Sequence, residues 1–358
     1  MMKYYDWNKT LSYDADVVMV VGARGIGKTY GERLQFVRDY INKGKRFVDL
    51  TRYKQQLSDF TGTYFQRIEE NREFDLLFKT NNRAAYLAKP LSRKQKNKDE
   101  KPKWEQFGYF GALTMAQEMK KWTFSNVKRI GLDEAIIDRR IDRFHNYLPN
   151  EFSVLANIVD SVSRERPETP KVDRPQLILL GNAADLLNPY FGRYGINEEP
   201  PIGYTWHDGK TMLLHYMKDK VYSEEKSVNT VAGRMLNGTL DGLIANQNEF
   251  LKQSDDFVEK KPKWAKFTMG IVYQEHQYGI WEDSREGYYY VTSKIPKSTN
   301  QPIFALTSSD NKLNYIAAKK AELALRNFTE LYYLGIVRYE SAILRERFME
   351  CLQLFGVR

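Results

Sequence analysis

The chain has 358 residues, 42% of them hydrophobic and 14% aromatic, with a formal net charge of +9 and one cysteine. The length favours two domains, the apolar share supports packed cores and excludes wholesale disorder, and the lone Cys351 excludes an internal disulfide framework or a cysteine-built zinc site. The positive balance points to a polyanionic partner, and it is concentrated: residues 79–143 hold sixteen Lys and Arg against eight Asp and Glu.

The first ten residues are polar without a signal-like apolar core, and the run Val17–Val21 is far too short to cross a bilayer. A soluble, cytosolic chain with no membrane partner is expected. Tyr13 precedes that run, where it either stacks on an adenine or packs on the core. Val17–Val21 itself reads as a buried strand. It leads into Gly22-Ala23-Arg24-Gly25-Ile26-Gly27-Lys28-Thr29, a full match to the G-x-x-x-x-G-K-[ST] phosphate-binding loop, with a helix predicted over 29–42. The glycines let backbone N–H groups turn inward around phosphate oxygens at a helix N-terminus; Lys28 reaches the β- and γ-phosphates and Thr29 holds Mg²⁺. ATP and Mg²⁺ are the expected cofactors.

A second strand, 47–50, runs into Arg52 and Lys54. Ligands of an open parallel sheet collect outside the carboxyl ends of its strands, so these two are either phosphate contacts or ordinary surface charge. Segments 84–89 and 106–112 read as a hairpin around the basic stretch 93–103, a mobile finger or a disordered insertion. The strand 127–132, its apolar run interrupted by Lys128, Arg129 and Gly131, ends in Asp133-Glu134. At that place a phosphate-loop ATPase needs one carboxylate in the Mg²⁺ shell and a second to orient and deprotonate the attacking water.

A helix opens at Pro149-Asn150-Glu151, carries Phe152, Leu155, Ile158, Val159 and Val162 on one face, and stops at Arg164-Glu165-Arg166-Pro167. Arginines at an exposed helix end can reach into a neighbouring subunit. Strand 177–180 is followed by Gly181-Asn182, an amide where a γ-phosphate sensor would sit. Strands alternating with helices to about residue 220 imply an α/β domain of the P-loop (ASCE) type with a mostly parallel sheet. The expected partition is 1–222 for this domain, 223–254 for a small polar linker and 255–358 for an α+β domain. In the last, three strands within 267–292 turn at His276-Gln277 and Arg285-Glu286-Gly287, and two helices lie near 313–328 and 340–354.

The phosphate loop, Tyr147-Leu148-Pro149-Asn150-Glu151, Asp160-Ser161-Val162-Ser163-Arg164, and Asn182-Ala183 followed by Asn188-Pro189-Tyr190-Phe191 together resemble, in order, the DNA-packaging ATPases of small phi29-type tailed bacteriophages. The resemblance covers most of the first domain; in the second it rests on the order of elements. It implies a homo-oligomeric ring of ATPase subunits, expected as a pentamer, docked on the phage portal through a structural packaging RNA. Such a ring drives double-stranded DNA into a preformed capsid, so the protein is expected in the host cytoplasm, transiently attached to the procapsid. By position, the resemblance implies nucleotide-loop roles for Lys28 and Thr29, a metal role for Asp133, a catalytic role for Glu134, and action of Arg164 on a neighbour's ATP. Lys120, Lys121, Arg139, Arg140 and Arg143 flank the acidic pair and are expected to contact DNA phosphates, contacts blind to sequence as a motor requires.

Related large packaging motors carry an RNase H-like nuclease in the second domain. Here its first strand, 267–273, has no Asp or Glu, and Glu282 and Asp283 read as turn residues, whereas two-metal cleavage needs several converging carboxylates. A vestigial, inactive nuclease fold is expected. The rival readings are a terminase-like motor with an active nuclease, a small-molecule phosphotransferase, and an ATP-dependent nucleic-acid-binding module without translocation.

Overall fold

The computed structural model describes residues 5–92, 95, 100–138, 147–148, 150–164, 169–171, 174–186, 188–196, 198–250 and 257–354. The chain divides into two compact units, Met1–Asp185 with Pro200–Phe250, and Leu186–Glu199 with Leu251–Arg358. Among the described residues no helix is long and apolar enough to cross a membrane.

In the first unit, β1 (Val17–Val21), β2 (Arg46–Thr51), β3 (Leu77–Thr80), β4 (Ala84–Ala88), β5 (Glu105–Ala112), β6 (Val127–Leu132), β7 (Gln176–Gly181), β8 (Gly203–His207) and β9 (Met212–Tyr216) form one sheet. Its order is β3-β4-β5-β2-β6-β7-β1-β9-β8. The strands from β5 to β9 in that order are parallel, and antiparallel β4, β3 and β8 close the edges. The mostly parallel α/β sheet is the expected one. β1 lies between β7 and β9 with Val18, Met19, Val20 and Val21 fully buried, the continuous apolar run that a strand covered on both faces requires.

The helix Lys28–Lys43 starts directly from the phosphate loop and stops at Gly44, whose left-handed backbone returns its N–H to the Asp39 and Tyr40 carbonyls. The charged residues of β6 find partners at its amino end: Lys128 donates to the Arg174 carbonyl, and Arg129 pairs with Asp39 at 2.8 Å and donates to the Gln176 amide oxygen. At Gly131 a Cβ would stand 2.8 Å from Glu32 Oε1 and 3.3 Å from Asp49 Oδ1. Both carboxyls are buried. Burial lifts Glu32 well above the usual carboxylate range and Asp49 to about 6, the latter opposed by a hydrogen bond from the Tyr64 hydroxyl.

The amino-terminal segment braces the loop from behind. Tyr5 N donates to the Ile26 carbonyl and Trp7 Nε1 to the Lys28 carbonyl, each at 3.0 Å. Tyr5 is itself held by Thr10 Oγ1 at 2.6 Å and His215 Nδ1 at 2.9 Å, with Tyr204 stacked on the imidazole.

The partition differs from the expected one. Lys220–Asn229, Val231–Leu236 and Leu240–Ala245 are helices belonging to the first unit, where a linker was expected, and Leu186–Glu199 belongs to the second. The polar texture that reads as linker is a series of helix starts: Asp219, Thr230 and Thr239 each accept from the backbone N–H three residues on.

In the second unit, β10 (Lys266–Tyr273), β11 (His276–Asp283) and β12 (Tyr288–Thr292) form the antiparallel meander. β13 (Ile303–Ala305) and β14 (Ile316–Ala317) add parallel strands outside β10, and β15 (Val337–Tyr339) lies parallel to β12. The antiparallel meander within an α+β unit is the expected one. The helices Ala318–Tyr333 and Ala342–Gln353 contribute Phe328 and Phe348 to a core with Tyr278, Ile280 and Val291. Two expected boundaries move. The first turn is Gln274-Glu275, both with positive φ, and His276 already belongs to β11; Leu313 is fully exposed, and the helix begins at Ala318.

Burial and the charge of Lys9 hold the His215 imidazole down to about 4, and burial with Arg347 does the same to His276. Between pH 6.5 and 4 these two imidazoles take up protons in the unfolded chain that they do not hold in the folded one, a contribution that lowers stability on acidification, whereas Glu32 and Asp49 hold protons in the folded chain that they lose on unfolding and contribute with the opposite sign. The imidazole contribution is read by comparing thermal melts of the parent and His215→Phe at pH 6.5 and 4.5: the variant should lose less stability on acidification, or gain more, than the parent, and an identical pH dependence would count against the buried neutral imidazole.

Candidate nucleotide site

A cavity of about 430 Å³ is lined by Arg24, Gly25, Gly27, Lys28, Thr29, Tyr30, Arg67, Asn71, Asp133, Glu134, Gly181 and Asn182. It sits where β1, β6 and β7 end. Gly25 and Gly27 have φ of 90° and 87°, which residues with a Cβ rarely adopt, so this loop geometry needs glycine. Ala23 and Ile26 turn their side chains into the core behind the loop.

Lys28 donates to the carbonyls of Gly22 at 2.6 Å and Ala23 at 2.9 Å and to Asn182 Oδ1 at 3.1 Å. Burial lowers its amine to about 8, Asp133 opposing the shift. A bound anion would favour the charged form. Thr29 Oγ1 donates to Asp133 Oδ2 at 2.8 Å, and Glu134 N donates to Asp133 Oδ1 at 2.9 Å. The exposed Glu134 stands in the left-handed region at φ 54°.

What holds Glu134 there is Arg52. Its guanidinium donates to both carboxylate oxygens of Glu151, at 2.8 and 2.9 Å, and to the carbonyls of Glu134 and Ala135. Arg52 and Glu151 are 5% and 1% exposed. Neither alternative, a phosphate contact or ordinary surface charge, describes Arg52: the group is committed to a closed bidentate pair that fixes the turn after β6. Lys54 is likewise no part of the cavity wall; it is exposed and lies 3.4 Å from Glu118. Tyr13 is exposed and sets its ring against Tyr204 and Trp206, and it does not line the cavity.

Arg164 caps the helix Glu151–Ser163 in a left-handed conformation, is exposed, and donates from Nη2 to the Trp122 carbonyl at 3.1 Å. It does not line its own chain's cavity. The exposed Lys120 and Lys121 precede Trp122, so the structure brings the expected DNA lysines and the expected finger into one neighbourhood. Arg139, Arg140 and Arg143 lie outside the described residues.

Several residues around the cavity carry no local sequence signal. Tyr222 Oη and Lys226 Nζ both donate to the Arg24 carbonyl, at 2.8 and 3.0 Å. Asn248, 1% exposed, accepts from Ala183 N at 2.8 Å and donates to the Met217 carbonyl at 2.8 Å and the Val21 carbonyl at 3.4 Å. One amide thereby ties together the ends of β7, β9 and β1. Arg67 and Asn71, from the segment after β2, complete the cavity wall.

Removing the cation from the buried pair leaves Glu151 charged and unmatched, at a cost of about 3–5 kcal/mol. Chemical denaturation of Arg52→Ala should show a loss of that order, with Arg52→Met/Glu151→Met recovering most of it; a loss below about 1 kcal/mol would contradict a closed pair.

A sequence profile of the podovirus DNA encapsidation proteins (Gp16) matches residues 1–354. The DNA packaging protein of Bacillus phage phi29 is 29% identical over 344 residues, covering 96% of this chain and 95% of its own. That of Bacillus phage B103 is 30% identical over 340 residues, covering 94% and 96%. The structure of the bacteriophage phi29 viral genome packaging motor assembly contains a chain that superposes with a TM-score of 0.68 at 26% identity, covering 98% of this chain and 99% of that one. The phosphate loop, the acidic pair on β6 and a match running almost end to end agree, and the chain belongs to the podovirus DNA encapsidation protein family.

Proposed function

We propose that this chain, a DNA-packaging protein by family, is the ATPase subunit of the packaging motor, hydrolysing ATP to drive double-stranded DNA into a capsid. The observation that carries the reading is the gathering of Lys28, Thr29, Asp133, Glu134 and Asn182 on one cavity at the carboxyl edge of a parallel sheet. The first unit serves as the ATPase domain. Thr29 and Asp133, hard oxygen donors already facing each other, are the residues that would hold Mg²⁺, and the ion when bound neutralises charge on the phosphates. Lys28 has three N–H bonds, all directed at protein oxygens, and exchanges one of these acceptors for a phosphate oxygen when nucleotide enters. Glu134, presented to solvent by the Arg52–Glu151 brace, takes the proton from the attacking water.

Arg164 acts on a neighbour's nucleotide, a reading supported by its position outside its own cavity. The ring, with five subunits, the portal and the structural RNA follow from the family resemblance, as does attachment to the procapsid in the host cytoplasm. DNA phosphates meet Lys120 and Lys121, with Arg139, Arg140 and Arg143 in the same role. The second unit docks without cutting: β10 carries no carboxylate, and Asp283 is occupied by Trp264 Nε1 and Arg285 N.

Steady-state ATP hydrolysis against protein concentration, with and without double-stranded DNA at low salt, tests the reading. Turnover should rise with both, and Arg164→Ala should lower it by roughly 10³-fold or more. Turnover indifferent to DNA, concentration and Arg164 would overturn a ring ATPase. Glu134→Gln should abolish turnover while leaving ATP binding intact, which separates hydrolysis from a nucleotide-operated switch.

A further inference from the structure

The phosphate loop and the acidic pair account for much of the cavity wall, but another part of it comes from the stretch between β2 and β3. After β2 the chain forms two short helices, Gln56–Thr61 and Gln66–Glu70, and the second places Arg67 against the same cavity as Thr29, Asp133 and Glu134.

This stretch is firmly seated. Phe65 and Ile68 on either side of Arg67 are 3% and 1% exposed. Arg33, from the helix that follows the phosphate loop, donates to the Tyr64 carbonyl at 2.9 Å and stacks 4.0 Å from the Tyr64 ring. The Tyr64 hydroxyl donates to buried Asp49 on β2. A few residues on, Asn71 Nδ2 donates to the Tyr30 hydroxyl at 2.9 Å, which in turn donates to Glu73. The backbone under Arg67 is thus pinned to the phosphate-loop helix on both sides.

The guanidinium itself is left over. Arg33, Arg46, Arg52 and Arg129 each commit theirs to protein carbonyls, hydroxyls or carboxylates. Arg67 is exposed and makes no side-chain hydrogen bond or ion pair among the described residues, although it shares the cavity with Asp133 and Glu134. An ordinary surface arginine would be in the same state; what distinguishes this one is a rigid seat on the wall of a cavity whose floor is built for phosphate. With Lys28 and Arg24 it gives the wall three cations against two carboxylates, a surplus that a polyphosphate would match. A guanidinium offers a planar fork suited to two phosphate oxygens at once.

We propose that Arg67 is a nucleotide-binding residue acting within its own subunit, pairing with the phosphate chain of the nucleoside triphosphate held by the loop. The inference rests on the nucleotide reading of the cavity and adds to it a contact in cis, distinct from the arginine supplied by a neighbour.

The test uses the full chain carrying Glu134→Gln, so that binding is read without turnover, and a non-hydrolysable ATP analogue with Mg²⁺ as probe. Arg67→Ala should weaken analogue binding by roughly tenfold to a hundredfold, the loss of a charge-assisted pair, and Arg67→Lys should recover part of it. Because the side chain has no partner among the described residues, the unfolding midpoint of the ligand-free variant should not move, while the stabilisation conferred by the analogue should shrink. Unchanged affinity in Arg67→Ala, with the parent protein binding normally, would overturn the Arg67 assignment and leave the cavity reading standing. A parent that does not bind the analogue would overturn both. A ligand-free midpoint that falls with affinity, unrescued by lysine, would make Arg67 a structural residue and also overturn the assignment.

Discussion

An ammonium group taken out of water must find an acceptor for each of its N–H bonds, and at Lys28 this requirement organises the first unit. The acceptors are the carbonyls at the end of β1 and the amide of Asn182 beyond β7. Supplying them demands that β1 and β7 be neighbours, that both end at the same level, and that the loop curl back over its own lysine. Asn248 secures the arrangement from behind, joining Val21, Ala183 and Met217, so the ends of β1, β7 and β9 cannot drift apart without breaking a buried amide's hydrogen bonds. The site is rigid because a cation is buried beneath it.

What could be read from the sequence is what depends on near neighbours. β1, the loop and the bounds of β6 with its acidic pair follow from apolar runs and glycines within a few residues of one another. Arg52 could not be read in this way, since the carboxylate that claims it is 99 positions away. Nothing beside Arg52 distinguishes a buried ion-pair partner from a phosphate ligand. The meander's first turn was displaced because Gln274 and Glu275 take up positive φ without the Gly or Asn that usually announces it. The stretch that reads as a linker is helical because its Asp and Thr residues cap, a role in which polar texture and regular structure coincide.

The arginines of the first unit show how desolvation sorts one residue type into different work. Buried Arg52 must satisfy its donors completely and so becomes a fixed strut. Arg33 lends its group to a carbonyl and an aromatic face and thereby seats a neighbouring segment. Arg164, exposed at a helix end, rests on one carbonyl among the described residues, which leaves donors to spare there. The more solvent a guanidinium keeps, the more of its bonding capacity is left for a ligand.

Gly131 was met as an interruption in an apolar strand. In the folded sheet its missing side chain is the space into which Glu32 and Asp49 close, with Phe36 Cζ at 3.2 Å from where a Cβ would be. The two halves of β6 therefore differ in how freely they can change. Lys128 and Arg129 reach partners through long chains that adjust, so other residues there have room to make other bonds. At Gly131 one added methyl group already requires the Glu32 carboxyl to move and Phe36 and Asp49 to give way. The strand that delivers the acidic pair is therefore closely hemmed two residues before it, where any side chain would displace the buried carboxyls behind the site.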